Sequence, residues 1–411
     1  MPLKLPSLKI STKLPLIIIG FVAVTIAVMT IANATMNNRI IRDAAKETLT
    51  SLATLKASSI KDFLANMERD LRLQANAGST SQALIALTDG YAALDNPEEV
   101  LRRVYIAENP FPLGERQNLV KADTGSSYGF IHAIYHPHFE ELLRENGLYD
   151  IFLIDPQGNL VYSVVKENDF GTNLLSGQWK ETGLADAFRM ALANEPDAAS
   201  VFIDFQPYGP SAASPAAFIS RPVFNDQGVL LGVLAYQMPS GRLSQASRTL
   251  EGMRASADGF LVGADGFMRT DSLQTDTDDT LAVKVTSDAV TAGINGESGI
   301  FEEMGYLGEQ VIGYAAPIDF LGTRWTLIVQ ENRADVFAGA RQSIQASAMI
   351  SGVIFVAVLL LSLVLARGFS RPISQLTEAV NSVANGDLAT DVPGTSRADE
   401  IGELARSTEV F

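Results

Sequence analysis

Two stretches of the 411-residue chain carry no charged side chain, and they frame everything between them. The first covers residues 14–38 and is most densely apolar over 14–35, and the second covers residues 342–366 and is densest over 350–365. Each supplies the roughly 20 residues that a helix needs to cross a hydrocarbon core of about 30 Å. The pattern predicts transmembrane helices at residues 14–36 and 344–366, since buried core helices of a soluble protein seldom stay apolar beyond ~18 residues. Lys4, Lys9 and Lys13 precede the first stretch, and Arg367 and Arg371 follow the second. The positive-inside rule then puts residues 1–13 and the C-terminal segment in the cytoplasm, and the middle outside, although Arg333 and Arg341 sit on the outer flank. The first stretch also reads as a signal peptide, with the lysines as its basic head and Ala32-Asn33-Ala34 as a cleavage site. Its apolar length exceeds the ~7–15 residues of such a segment.

Between the two stretches the period changes twice. Residues 37–95 read as one long helix, because Leu49, Leu52, Leu55, Ile60, Phe63, Leu64, Met67 and Leu71 recur at three- and four-residue steps without a proline before Pro97. Pro110, Pro112, Gly114 and Gly125 mark residues 108–128 as loop. Strands follow: Ile151-Phe152-Leu153-Ile154, a Pro156-Gln157-Gly158-Asn159 turn, then residues 160–165 as the return strand. A short helix is predicted over 184–193, and further strands over 200–205, 216–221 and 229–237, the last two joined at Asn225-Asp226-Gln227-Gly228. From Phe260 the text repeats itself weakly. Phe260-Leu261-Val262 and the Gly266 turn echo Phe152 to Gly158, and the apolar runs at 310–314, 317–318 and 325–330 echo those at 219–222 and 229–237. Two similar sheets in series are expected.

Charge and composition narrow the chemistry. A formal net charge of −16 offers no basic face for phosphate neutralisation, so no nucleic-acid partner is expected. The absence of cysteine excludes disulfides, thiolate metal sites and thiol nucleophiles. G-x-S-x-G, P-loop and H-E-x-x-H motifs are all missing, so binding rather than catalysis is expected, with no cofactor.

The run Asp150-Ile-Phe-Leu-Ile-Asp-Pro-Gln-Gly-Asn-Leu-Val-Tyr162, with Lys166-Glu-Asn-Asp-Phe-Gly-Thr-Asn-Leu174, resembles the double-Cache sensory domains of methyl-accepting chemotaxis receptors. By organisation the likeness covers about residues 37–340. It implies an α+β fold in which a long N-terminal helix carries two PAS-like antiparallel-sheet modules, a distal one over about 100–240 and a proximal one over about 255–332. The segment 367–411 is similar to a HAMP relay: Pro372 opens a helix with Ile373, Leu376, Val380 and Val383 at 3-4-3 spacing, Asn385-Gly386-Asp387-Leu388 ends it, and Asp399-Glu400-Ile401-Gly402 opens a second carrying Leu404 and Phe411. An ordinary amphipathic tail is the plainer alternative. Such helices bury their seams only as a four-helix bundle from two chains, so a homodimer is expected, with signal relay through Pro372, Ile373, Leu376, Glu400, Ile401 and Leu404.

The resemblance implies a receptor of the bacterial inner membrane with its sensor in the periplasm and a small-molecule ligand in the distal module. The chain stops within the second relay helix; a chemoreceptor is expected to continue into a methylated helical hairpin, and a histidine kinase or nucleotide cyclase into a catalytic domain. An adhesion or assembly module is the alternative from another class. Tyr149, Tyr162, Lys166, Asp169, Asp204, Ser220 and Tyr236 fall where the family places its distal site, Lys166 being suited to a carboxylate and Asp169 or Asp204 to an amine. The arginine-and-aromatic signature of amino-acid-binding members is not found. His132, His136 and His138 cluster ahead of Glu140 and Glu141, but Pro137 disfavours helical backbone at His136, so packing beside the pocket is expected rather than a metal.

Overall fold

The computed structural model describes residues 10–196, 198–248, 250, 252–387 and 389–410. It divides into two units, Met1–Ala44 with Val336–Phe411, and Ala45–Asp335. Helices are α1 (Ile10–Ala75), α2 (Gly78–Ala92), α3 (Pro97–Arg102), α4 (Tyr128–Asn146), α5 (Gly183–Leu192), α6 (Ser240–Arg248), α7 (Asp288–Ile294), α8 (Arg333–Val336), α9 (Ala338–Leu365), α10 (Arg371–Ala384) and α11 (Glu400–Glu409). Strands are β1 (Asp150–Ile154), β2 (Leu160–Ser163), β3 (Val201–Tyr208), β4 (Ser214–Phe224), β5 (Leu230–Gln237), β6 (Asp258–Val262), β7 (Gly299–Met304), β8 (Gln310–Phe320) and β9 (Thr323–Asn332).

In the first unit, α1 and α9 each contain a segment long and apolar enough to cross a membrane. At 1.5 Å per residue the 28 residues of α9 exceed the roughly 30 Å of a hydrocarbon core. The two helices touch through polar pairs, Asn33 Nδ2 donating to Ser347 Oγ at 3.1 Å and Asn37 Nδ2 to Ser343 Oγ at 3.2 Å. A π-helical turn, Ala366–Ser370, joins α9 to α10. Helix α10 begins with Pro372 in its first turn and ends at Ala384, and Gly386 just beyond takes the left-handed conformation that favours glycine. Asp399 caps α11 by accepting from the Gly402 amide at 3.1 Å, and a Cβ on Gly402 would lie 2.1 Å from the Arg397 carbonyl oxygen. Leu376, Val392 and Ala405 form the small core of this segment. Ile373, Val380 and Leu404 remain exposed on the single chain, as does Glu400. Lys4, Lys9, Leu388 and Phe411 lie outside the described residues.

In the second unit, residues 45–75 of α1 turn Leu49, Ala53, Ala57, Ile60, Leu64, Met67 and Leu71 inward. The helical row that joins Leu49 to Ile60 passes through the two alanines, which leaves Leu55 exposed and Leu52 only half-buried. The helix expected over 37–95 is two helices, because Ala77 is extended between α1 and α2. That break lets Leu84, Leu87 and Tyr91 of α2 reach the interior.

Beyond them lies a five-stranded antiparallel sheet in the order β2-β1-β5-β4-β3. One face carries Phe152, Ile154, Leu160, Phe218 and Val233 against Leu184 and Phe188 of α5. Strand β2 stops at Ser163, short of the expected 165, because Asp150 Oδ1 captures the amides of Val164 and Val165 at 2.9 and 3.1 Å. The second sheet runs β6-β9-β8-β7, with α7 on one face over Phe260, Ile328 and Ala315. Its order repeats β1-β5-β4-β3, so the weak internal repeat corresponds to a repeated topology. The periodicity did not reveal α4, α6, α7 or β7, which are short, partly exposed or rich in glycine and polar residues.

The two sheets meet at a defined junction. A bulge between Ile203 and Gln206 of β3 re-aims Asp204 toward the second sheet. Its carboxylate accepts from Arg269 Nε at 3.1 and 3.0 Å, from Arg269 Nη2 at 2.9 Å and from Trp325 Nε1 at 3.1 Å. Phe202 and Phe205 pack their rings against Trp325, at centroid separations of 5.8 and 6.1 Å. Arg269 is buried, and without Asp204 it keeps only the half-exposed Asp265, at 3.0 Å, as its ionic partner. Asp204→Ala should therefore cost about 2–3 kcal/mol, read as a fall of several degrees in the Tm of the full chain in detergent micelles.

Candidate ligand-binding site

Past the end of β2 the backbone folds over a buried polar cluster that Asp150 organises. Its Oδ2 accepts from Ser163 Oγ at 2.7 Å, and Ser163 Oγ in turn accepts from the Lys166 amide at 2.9 Å. Lys166 is held with a φ of 60°, a left-handed conformation that a non-glycine residue adopts only under constraint from its surroundings. Its side chain is 0% exposed, and Nζ donates to the Val164 carbonyl at 2.9 Å. Asp169 is also fully buried and accepts from Tyr208 Oη at the end of β3. Glu167 accepts from Tyr149 Oη at 2.8 Å and from Ser211 Oγ.

Helix α4 closes the cluster from the other side. It continues through Pro137, contrary to the expected break, so His132 and His136 lie one turn apart with ring centroids 4.6 Å apart. Proline costs the helix one amide donor, and packing of Tyr128, Phe139 and Leu142 holds the helix together around it. His136 Nε2 lies 2.6 Å from the Gln117 carbonyl oxygen and Nδ1 lies 2.6 Å from Tyr162 Oη. The carbonyl can only accept, so Nε2 carries the proton and Tyr162 donates to Nδ1. By the same logic His132 donates from Nδ1 to the Val120 carbonyl at 2.7 Å, leaving Nε2 as an acceptor. His138 lies outside this stack, and among the described residues no group of histidines and carboxylates is arranged to hold a metal ion.

Burial sets the electrostatics. It lowers the Lys166 ammonium to about 7, against the opposing pull of Asp150 and Glu140. Burial raises Asp150 to about 8 and Asp169 to about 7, in each case against a hydrogen bond that favours the anion, from Ser163 and Tyr208 respectively. His136 falls to about 3 through burial and the neighbouring Lys166, so both its proton count and its tautomer are fixed at neutral pH. Buried side-chain atoms in and beside this interior without a hydrogen-bond partner among the described residues include Asp169 Oδ1, His132 Nε2, Gln117 Oε1, Gln237 Oε1 and Tyr105 Oη.

Of the seven residues picked from the sequence, Tyr149, Tyr162, Lys166 and Asp169 come together in this cluster. The other three point elsewhere. Ser220 donates to the Ala187 carbonyl of α5 at 2.9 Å, Tyr236 donates to Asp70 of α1 at 2.9 Å, and Asp204 serves the junction between the sheets. Sequence reasoning missed Asp150, Glu167, Tyr208 and Ser211. The first two sit inside the quoted Asp150–Tyr162 and Lys166–Leu174 motifs, and the last two flank the Gly209-Pro210 turn that links β3 to β4.

Residues 37–340 match the Cache domain family, dCache_1, and residues 364–407 match the HAMP domain. The chain belongs to the Cache domain family, with a HAMP segment after its second apolar helix. It is 26% identical over 266 residues to the probable chemoreceptor y4sI of Sinorhizobium fredii, which spans 64% of this chain and 32% of that protein. It is 34% identical over 83 residues to the transducer protein BasT of Halobacterium salinarum, 20% of this chain and 10% of BasT. The chain thus spans less than two thirds of the length of these relatives. Among solved structures, the periplasmic sensory domain of the Campylobacter jejuni chemoreceptor Tlp1 gives a TM-score of 0.44 at 11% identity, covering 72% of this chain and 98% of that one. The ligand-binding domain of the Pseudomonas aeruginosa amino-acid chemoreceptor PctC, in complex with GABA, gives 0.39 at 18% identity, covering 70% and 100%.

The buried amine supplies a test of the electrostatics. Folded Lys166 releases its proton at about 7, whereas the unfolded chain keeps it up to the ordinary lysine range. The unfolded chain therefore binds more protons between those values, and the native state gains stability as pH rises through them. Lys166→Met keeps the packed stem and drops the amine. It should raise stability by about 4–5 kcal/mol below pH 7, with the difference from the native chain closing toward about pH 10, in thermal melts taken across that range.

Proposed function

We propose that this chain is the sensing and relay portion of a bacterial transmembrane chemoreceptor, held in the inner membrane by α1 and α9 with its Cache domain in the periplasm. A small molecule occupies the distal cluster beneath α4, and the response passes through the HAMP segment of a homodimer to a cytoplasmic chemotaxis output. Membership of the Cache family and the HAMP match support the organisation. The names of the two related proteins, a probable chemoreceptor and a transducer, support the output. One observation carries the ligand site: Asp169 Oδ1 and His132 Nε2 are buried acceptors awaiting hydrogen-bond donors. An unmet buried acceptor costs about 1–3 kcal/mol, so a ligand that brings N–H or O–H groups to these atoms gains about that much. Amines and other donor-rich small molecules fit that requirement best.

Ligand binding stabilises only the folded chain, so Tm reports occupancy. Thermal-shift screening of the full chain in detergent against amines, amino acids, organic acids and nucleobases should find one class that raises Tm. Asp169→Asn and Lys166→Met should remove that shift, and Tyr236→Phe should retain it. Stabilisation by no class, or a shift indifferent to Asp169 and Lys166, would refute this site.

The dimer has its own test, made simple by the absence of native cysteine. Ile373 is 41% and Leu404 56% exposed on the single chain, as expected of seam residues that a second copy covers. Ile373→Cys and Leu404→Cys should each yield a disulfide-linked dimer under mild oxidation in membranes, whereas Gln375→Cys, off the seam, should stay monomeric on a non-reducing gel.

A further inference from the structure

We propose that the proximal module holds a second small-molecule site, separate from the distal cluster and built for a carboxylate-bearing molecule that also presents a hydrogen-bond donor. A cavity of about 240 Å³ opens on the α7 side of the second sheet, with Phe260 and Ile328 as apolar wall and Gln330, Tyr306, Lys284 and Glu303 as polar lining. Polar side chains outnumber apolar ones in this lining, as suits a polar small molecule, and the volume lies just under the ~300 Å³ lower bound for drug-sized ligands. It suits a small metabolite.

The position of the cavity within the repeat strengthens the assignment. In the first sheet Asp150 at the start of β1 is paired in register with Gln237 at the end of β5. In the second, Asp258 at the start of β6 is paired with Gln330, two residues before the end of β9. Tyr208 closes β3 and donates to a buried aspartate, and Tyr306, just past β7, donates to Asp258 Oδ2 at 2.8 Å. Asp258 is 0% exposed, and burial raises its carboxyl as it does that of Asp150. The aspartate–glutamine pair thus recurs in both modules, and although Tyr208 meets Asp169 rather than Asp150, in the proximal module the tyrosine joins the pair itself, where Gln330 and Tyr306 line the cavity.

The lining defines the ligand. Lys284 forms no ion pair among the described residues, although its ammonium lies 5.3 Å from the Phe267 ring centroid, so it is free to anchor a carboxylate. Glu303 is half-buried, and the Ala289 amide donates to it at 3.4 Å, which leaves acceptor capacity for an ammonium or hydroxyl group of the same molecule. α-Amino acids and α-hydroxy acids share that chemistry.

Single-thiol protection tests the site without reference to the distal one. Thr286→Cys places a unique thiol in the cavity lining, and Thr291→Cys places one on an exposed position of α7 outside it. The full chain in lipid nanodiscs is labelled with a maleimide in the presence of glycine, alanine, serine and aspartate, then of glycolate, lactate and malate. At least one compound should slow labelling of Thr286→Cys about fivefold at a few times its dissociation constant, leave Thr291→Cys unchanged, and lose its effect in Lys284→Met. Protection by amino acids alone assigns the donor to an ammonium, and protection by hydroxy acids alone assigns it to a hydroxyl. The proposal is overturned if no compound protects at about 10 mM, if both thiols are protected equally, or if protection survives Lys284→Met and disappears with Lys166→Met. Each of those failures leaves the distal reading intact, because its own test reads Tm in Asp169 and Lys166 variants.

Discussion

Desolvation of ionisable groups is the constraint around which the sensory unit is arranged. Lys166, Asp150 and Asp169 all lie wholly out of water, where an unpaired charge is so unfavourable that the group surrenders it instead. The surrounding structure supplies each with partners: Ser163 and two backbone amides for Asp150, Tyr208 for Asp169, a carbonyl for Lys166. The left-handed backbone at Lys166 belongs to the same arrangement, since it directs the amine inward at the cost of local strain. Polar interiors of this kind contribute little to stability and much to discrimination, because any molecule entering them meets fixed donors and acceptors rather than adaptable water.

How much of this was legible depended on the length scale of the signal. The apolar stretches at 14–36 and 344–366 were plain because a membrane span needs an uninterrupted run, and α1 and α9 contain them up to the π-helical turn at Ala366. Strands β1, β4, β5 and β9 were visible as apolar runs bounded by turn residues. Strand β7, Gly-Ile-Phe-Glu-Glu-Met, hides its apolar residues among glutamates, because none of its six residues is fully buried. Helix α4 was concealed by Pro137, whose local preference was overridden by packing on both sides. Of the residues chosen from the sequence, Lys166 and Asp169 lie in the buried cluster because they follow a strand end, whereas Asp204 lies at the junction between the sheets. A bulge rotates it off the alternation that sequence reading assumes, and only the folded chain shows Arg269 waiting opposite it. Tyr236 and Ser220 alternate correctly but on neighbouring strands whose orientation toward α1 and α5 no local pattern encodes.

The HAMP segment presents the reverse case. Its signals are local and chemical: a proline in a first turn, a glycine just beyond one helix, an aspartate capping the next, and a glycine where the connector backbone leaves no room for a Cβ. These features specify two helices and their connection, yet among the described residues the core cluster of one chain is small, Leu376, Val392 and Ala405. So small a core is thin support for an isolated segment, and the exposed seam residues mark where further apolar contact is available.

Strand β3 has a consequence of its own. Near its middle Asp204 is clamped by Arg269 and Trp325 of the second sheet, and at its end Tyr208 holds Asp169 of the buried cluster. The four residue steps between these anchors span roughly 13 Å of nearly inextensible backbone. A displacement of Tyr208 would therefore be carried along the strand as along a taut cord, to Arg269 and Trp325 of the neighbouring sheet.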